Sequence, residues 1–248
     1  MPLEAPLAPI SERAAELNSR FAHHSGSDVL AHAVRDALVG QIAMVSSFGA
    51  ESVVLLHMLS RVDRTIPVLF IDTEMLFPET LTYQSDLAAK LGLNVKVIRP
   101  DRGELLEQDV DNLLHLYDVD ACCALRKTRP LDKALEGFDA WITGRKRYQG
   151  GQRAQLEFFE AGADGRMKVN PLAHFDTDDI REYMINNRLP RHPLVSQGYP
   201  SVGCVPCTTK ARADEDPRAG RWRGQAKDEC GIHFVDGKAV RGPAQART

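Results

Sequence analysis

Four short apolar runs, Ile42-Ala43-Met44-Val45, Pro67-Val68-Leu69-Phe70-Ile71, Val95-Lys96-Val97-Ile98 and Ala140-Trp141-Ile142, are separated by stretches long enough to hold helices. Runs of this length read as strands. Ser52-Val53-Val54-Leu55-Leu56-His57-Met58-Leu59 follows the first run as a helix, and Pro78 to Leu91 follows the second, with its proline in the first turn. Strands alternating with helices imply right-handed βαβ units. The fold class expected is therefore α/β, a mostly parallel sheet with helices on both faces and ligands beyond the carboxyl ends of the strands. Three of those ends read Ser46-Ser47-Phe48-Gly49, Asp72-Thr73-Glu74 and Thr143-Gly144-Arg145, all small, polar or charged.

Around this centre the chain divides into three expected parts. Residues 1–38 read as an N-terminal helical segment, with Leu17, Phe21, Val29, Leu30, Ala33, Val34 and Leu38 at three- and four-residue spacings. Residues 39–190 form the nucleotide-binding α/β domain. It includes a hairpin around Gly162-Ala163-Asp164-Gly165 and a helix from Asp176 to Asn187, which opens on a capping residue and acidic first-turn positions. Residues 191–248, rich in Gly, Pro, Arg and Cys, read as a loop-rich C-terminal segment folding over the active edge of the sheet.

With 31 Lys plus Arg against 34 Asp plus Glu, the formal net charge of -3 argues against a nucleic-acid binder working through bulk charge. No apolar run approaches the ~20 residues that cross a bilayer, and Met1 to Ile10 lacks the basic and apolar regions of a signal peptide. The expectation is a cytoplasmic protein with no membrane partner. Five cysteines among 248 residues are too sparse for a secreted disulfide framework, so metal binding or thiol chemistry is the better account.

Four of them form two close groups, Cys122-Cys123 and Cys204-Val205-Pro206-Cys207. Two pairs can close one four-thiolate site, for zinc or for an iron–sulfur cluster. The adjacent pair is unlike the arm of a zinc ribbon, whereas separate irons of a cluster can each take one of two neighbouring thiolates. The plain alternative is two buried thiols and an independent redox pair. Cys230 stands apart in Lys227-Asp228-Glu229-Cys230-Gly231-Ile232-His233, after the basic residues Arg218, Arg221, Arg223 and Lys227. Neighbouring cations stabilise a thiolate, the nucleophilic form; a spare surface cysteine is the alternative. The loop Ser46-Ser47-Phe48-Gly49-Ala50-Glu51-Ser52 lies between strand and helix, where backbone amides receive phosphate oxygens, although it lacks the Gly-Lys-Ser/Thr of a Walker loop. With Asp72-Thr73 one strand later and Arg145-Lys146-Arg147 after the fourth, it describes a nucleotide pocket.

Taken together, Ser46 to Ser52, Asp72-Thr73-Glu74, Cys122-Cys123 with Arg126-Lys127, Gly144-Arg145-Lys146-Arg147, Gly198 to Thr208, Arg218 to Trp222 and Glu229-Cys230-Gly231-Ile232-His233 resemble the cluster-containing assimilatory sulfonucleotide reductases, over residues 40–235. The resemblance implies an adenine nucleotide α-hydrolase-like fold with a modified pyrophosphate loop. It implies a [4Fe-4S] cluster on Cys122, Cys123, Cys204 and Cys207, and thioredoxin-dependent reduction of adenosine 5′-phosphosulfate (APS) to sulfite and AMP through an S-sulfocysteine at Cys230. Lys127 and His233 would assist catalysis. Ser46, Ser47, Phe48, Gly49, Glu51, Ser52, Asp72, Thr73, Arg145, Arg147, Arg218 and Arg221 would bind the substrate. The partners implied are thioredoxin or a similar dithiol, with homo-oligomerisation left open.

Phe48 and Glu51 match the reductases rather than the ATP-cleaving relatives, which carry Ser-Gly-Gly-x-Asp-Ser. Three alternatives stay open: a reductase of the 3′-phosphorylated nucleotide (PAPS) or of both nucleotides, an ATP-dependent thiolation enzyme, and a nucleotide-binding iron–sulfur sensor.

Overall fold

The structure is a computed structural model, describing residues 7–212, 214–225 and 227. Cys230 and His233 lie outside the described residues. The apolar runs become strands β1 (Ile42–Ser46), β2 (Pro67–Ile71), β3 (Asn94–Ile98) and β4 (Ala140–Ile142). They are joined by the hairpin β5 (Phe159–Ala161) and β6 (Met167–Val169) in one sheet of spatial order β3-β2-β1-β4-β6-β5. β1 is central: Met44 lies opposite Val68 of β2 on one side and Ile142 of β4 on the other, both parallel. β3 and β6 are also parallel to their inner neighbours, and β5 runs antiparallel to β6. The chain moves outward from β1 through β2 to β3, then returns to β4 on the opposite side. That reversal opens a crevice at the carboxyl end of β1, the usual ligand position in such sheets.

Described helices cover both faces. They are α1 (Ile10–Phe21), α2 (Gly26–Ala33), α3 (Ser52–Val62), α4 (Pro78–Leu91), α5 (Arg102–Gln108), α6 (Leu114–Tyr117), α7 (Val119–Cys123), α8 (Arg129–Ala134) and α9 (Thr177–Asn186). Alternate residues of β1 separate the two cores: Ile42 and Met44 join side chains of α1–α4 and α9, whereas Ala43 joins Leu69, Trp141, Leu131 of α8 and Leu135 at the carboxyl cap of that helix. Each large apolar side chain buried in these layers contributes about 1.5–3 kcal/mol. α4 starts at Pro78 and stops at Gly92, whose φ of 65° is a left-handed cap that glycine adopts without strain. α9 starts on an Asp176–Asp179 capping box.

The edge of the sheet is closed by a side chain. Asn18 of α1 donates from Nδ2 to the Phe159 carbonyl (2.8 Å) and accepts from the Phe159 amide (2.9 Å), filling the place of a neighbouring strand. From Val119 to Ala134 the chain runs α7, one π-helical turn over Ala124–Thr128, then α8. Pro130 explains the wide turn: it cannot donate to the Arg126 carbonyl and its ring crowds that oxygen. The Arg129 amide instead reaches the Ala124 carbonyl, five residues back.

His192 packs at 4.8 Å from the Tyr83 ring and is 1% exposed. Its Nδ1 accepts from the Leu194 amide (3.3 Å), and Nε2 meets the Thr80 hydroxyl (3.1 Å). Burial pushes its pKa down to about 4. The neutral ring is thus the folded form, and its contribution is complete above the free value of 6.5 and disappears as pH falls towards 4. Between pH 7 and 4.5, wild-type unfolding free energy should drop by up to about 2–3 kcal/mol from this group. His192→Gln should be less stable at pH 7 but flatter over that range in urea titrations; equal slopes would contradict the assignment.

A candidate active site spanning two pockets

A cavity of about 530 Å³ opens at the carboxyl ends of the central strands. The loop after β1 forms its floor. Phe48 holds that loop: its side chain is fully buried, 5.3 Å from the Phe70 ring, and its φ of 49° turns the backbone sharply. Ser46, Ser47, Gly49, Glu51 and Ser52 then line the cavity, with Gly49 to Ser52 leading into the amino end of α3. A helix amino end favours anions through its unpaired amides and dipole.

Among the described residues six cations line the same cavity: Lys127, Arg145, Lys146, Arg153, Arg218 and Arg221. Several are fixed in place. Arg145 pairs with Glu160 and donates to Asn170 (3.0 Å) and Thr143 (3.2 Å). Lys146 donates to Glu51 (2.8 Å), whose other oxygen accepts from the Tyr148 hydroxyl (2.6 Å). Burial pushes the Glu51 carboxyl up, but Lys146 and Tyr148 outweigh it and hold the pKa below its ordinary value. Burial likewise pulls the Lys146 ammonium down against the opposing pull of Glu51. Arg221 donates to the Val202 carbonyl (3.2 Å) and lies 4.5 Å over the Trp222 ring. Gly203 allows this approach, since a Cβ there would collide with the Arg221 guanidinium.

A second, small pocket adjoins the first and is lined by all four cysteines, Cys122, Cys123, Cys204 and Cys207, with Thr73, Arg126, Lys127, Arg221 and Trp222. Two distant segments meet here. Cys122 and Cys123 close α7, while Cys204 is brought in by a bridge to Leu76 and by the Val205 amide donating to the Met75 carbonyl (2.8 Å). The fully buried Arg126 locks the junction, donating to Asp109 (2.7 and 3.0 Å), Asn112 (2.6 Å) and the Thr73 carbonyl (3.0 Å). Burial pushes the Cys122 thiol up to about 12. Cys204 goes the other way: burial raises it, but Lys127, the Thr73 hydroxyl at 3.2 Å and Arg221 outweigh burial and favour its thiolate. The Trp222 indole N–H is buried with no hydrogen-bond partner among the described residues. Among those residues no group of three or more His, Cys, Asp or Glu side chains is placed to hold a metal ion.

Of the residues singled out in the sequence, Ser46, Ser47, Gly49, Glu51, Ser52, Lys127, Arg145, Arg218 and Arg221 line the large cavity. Four lie elsewhere. Phe48 is in the core, and Arg147 points to the Leu156 carbonyl (2.6 Å) and Glu157 (3.0 Å). Asp72 pairs with Arg99 (3.1 Å) and accepts from the Glu74 amide (3.0 Å), and Thr73 faces the cysteines. Tyr148 and Arg153 line the cavity without having been singled out, and Lys146 and Trp222, quoted in the sequence only within the runs Arg145-Lys146-Arg147 and Arg218 to Trp222 and not as substrate-binding residues, line it too. For Lys146 a signal existed, because a glutamate in a loop at the end of a central strand calls for a cationic partner.

Residues 41–210 match the model of the phosphoadenosine phosphosulfate reductase domain. The adenosine 5′-phosphosulfate reductase of Mesorhizobium japonicum is 46% identical over 91% of this chain and 89% of its own. The enzyme of the same name from a Chelativorans species is 47% identical over 93% of this chain and 95% of its own. Among solved structures, the phosphoadenylyl-sulfate reductase of Candida auris in complex with phosphate superposes with a TM-score of 0.70 at 25% identity, covering 84% of this chain and all of that one. With more than half its length matched by the domain model, and two relatives near 46% identity matched almost end to end, this chain belongs to the phosphoadenosine phosphosulfate reductase family.

Proposed function

We propose that this chain reduces APS to sulfite and AMP, taking electrons from a thioredoxin-type dithiol. The observation that carries this reading is the sharing of Lys127 and Arg221 between the nucleotide-sized cavity and the four-cysteine pocket. Two cations at that junction offset the repulsion between an anionic thiolate and an anionic phosphosulfate, which would otherwise oppose their approach.

In this scheme the amides and hydroxyls of Ser46 to Ser52 receive the nucleotide. Lys127, Arg218 and Arg221 surround the phosphosulfate, and His233 assists them. The Cys230 thiolate attacks the sulfur of APS. The bond from that sulfur to the bridging phosphate oxygen breaks, its electron pair leaves with AMP, and an S-sulfonate forms on Cys230. A thiolate of the dithiol then attacks Cys230 Sγ, sulfite leaves with the S–S bonding pair, and the second thiol resolves the mixed disulfide. The dithiol loses two electrons and the sulfonate gains them.

The cysteine pocket fits an iron–sulfur cluster by the chemistry of its donors. Among the described residues, four thiols and no carboxylate or imidazole line it, the buried Trp222 N–H has no acceptor, and Lys127 and Arg221 favour negative charge there. Cys122, Cys123, Cys204 and Cys207 would hold a [4Fe-4S] cluster, a group bound by four cysteine thiolates. When bound, the cluster supplies electrostatic positioning of Lys127 and the substrate anions, since thiols alone balance the electrons.

The test is anaerobic, dithiol-dependent sulfite release from APS and from PAPS, side by side. The reading predicts release from APS with a clear preference over PAPS. Equal or better use of PAPS would overturn the substrate assignment while keeping the Cys230 chemistry. No sulfite from either, with pyrophosphate formed from ATP, would favour the ATP-using alternative.

A further inference from the structure

Between Leu106 and Tyr117 the chain leaves apolar side chains in solvent. Leu106, Val110, Leu113, Leu116 and Tyr117 are all exposed, Leu116 by 67% and Tyr117 by 82%. They do not sit on a loose loop. One oxygen of Asp109 accepts from the Leu114 amide (2.8 Å) and the other from the Arg126 guanidinium (2.7 Å), while Asn112, at a φ of 57°, accepts from the same guanidinium (2.6 Å). Arg126 and Asp109 are both buried, so the turn between α5 and α6 is pinned to the stretch that carries Cys122, Cys123 and Lys127. A fixed group of large apolar side chains held out of the core marks an interaction site.

The charge around it has one sign. Glu107, Asp111 and Asp118 are exposed and interspersed with these side chains along the chain, and no Lys or Arg occurs between Arg102 and Arg126. A second copy meeting the same patch across a two-fold axis would set these carboxylates against one another. The charge instead fits a different protein, with cations around an apolar contact face. Location indicates which. α6 packs against α7, which Asp118 caps through the Ala121 amide (2.9 Å) and which ends on Cys122 and Cys123. The patch therefore flanks the cysteine pocket, where Lys127 and Arg221 are shared with the large cavity. We infer that the surface from Leu106 to Tyr117 docks the protein dithiol, a thioredoxin-type partner that covers Leu116 and Tyr117 with its own apolar face and meets Glu107, Asp111 and Asp118 with lysines. This inference deepens the proposed function and rests on the reductant named there.

Two measurements on the anaerobic, iron-loaded protein test it. The first is the affinity for a thioredoxin whose second active-site cysteine is serine, by calorimetry, which needs no turnover. Leu116→Ala combined with Tyr117→Ala should weaken binding by roughly 10-fold or more. Glu107→Lys combined with Asp111→Lys should weaken it too and flatten its dependence on salt. All four side chains are exposed, so their replacement opens no cavity in the core. The second is sulfite release from APS with thioredoxin and, separately, with dithiothreitol: KM for thioredoxin should rise by a similar factor in both variants, while the rate with dithiothreitol stays at the wild-type value. Unchanged affinity and KM in both variants overturn the docking surface, as does an equal loss of rate with both reductants. A variant that falls from dimer to monomer in sedimentation while keeping its thioredoxin affinity also overturns it, in favour of a second copy. A wild type that binds thioredoxin but makes no sulfite with either dithiol would instead overturn the proposed function.

Discussion

Cys230→Ser is expected to abolish sulfite release, lowering turnover by about ten-thousandfold or more, the scale on which loss of a covalent nucleophile acts. A serine hydroxyl at neutral pH is far less ionised than a thiol and cannot form the S–S bond that the dithiol later cleaves. The change should otherwise be narrow. The large cavity is built from the Ser46 to Ser52 loop and six described cations, and the cysteine pocket from Cys122, Cys123, Cys204 and Cys207, none of which depends on Cys230. Iron content and AMP affinity should therefore remain, measured by iron assay and calorimetry. Persistent sulfite production would remove Cys230 from the scheme.

Cys204→Ser should lose most of the bound iron and reduce sulfite release by at least about 100-fold, beyond the 10- to 100-fold typical of residues that only support a ligand. Cys204 is prepared for ligation: Lys127, Thr73 and Arg221 together outweigh its burial and favour the thiolate. A serine oxygen is a harder donor and a poor match for iron and sulfide. Nucleotide affinity should fall much less, because Cys204 lines the small pocket and not the large cavity. Full iron content with unchanged visible absorption would break the ligand assignment.

Much of the scaffold was legible because local signals agreed with the fold. The apolar runs became strands β1 to β4, Pro78 and Gly92 bounded α4, and Asp176 began α9. The turn near Gly162 likewise became the β5–β6 hairpin. The π turn at Ala124–Thr128 escaped because one extra residue in a helical turn leaves no period to count; Pro130 marked a break without fixing its form. The bond between Asn18 and Phe159 joins residues 141 apart, a separation that periodicity cannot bridge.

The candidate site divides in the same way. Residue type marked the loop after β1 and the two cysteine groups, which the fold brings to neighbouring pockets. Side-chain direction did not follow: in Arg145-Lys146-Arg147 the first two line the cavity and the third turns to Glu157. Asp72 and Thr73 separate at the end of β2, one to Arg99 and the other to Cys204. Such choices depend on distant partners, Glu51 for Lys146 and Cys204 for Thr73, that come together when the chain folds.

The most direct test of the account is a single turnover of anaerobic, iron-loaded protein mixed with APS in the absence of any dithiol. The account predicts one AMP released per active chain, one sulfonate on the peptide that contains Cys230, and no free sulfite until the dithiol is added. Free sulfite before the dithiol, or AMP released with Cys230 unmodified, would contradict it.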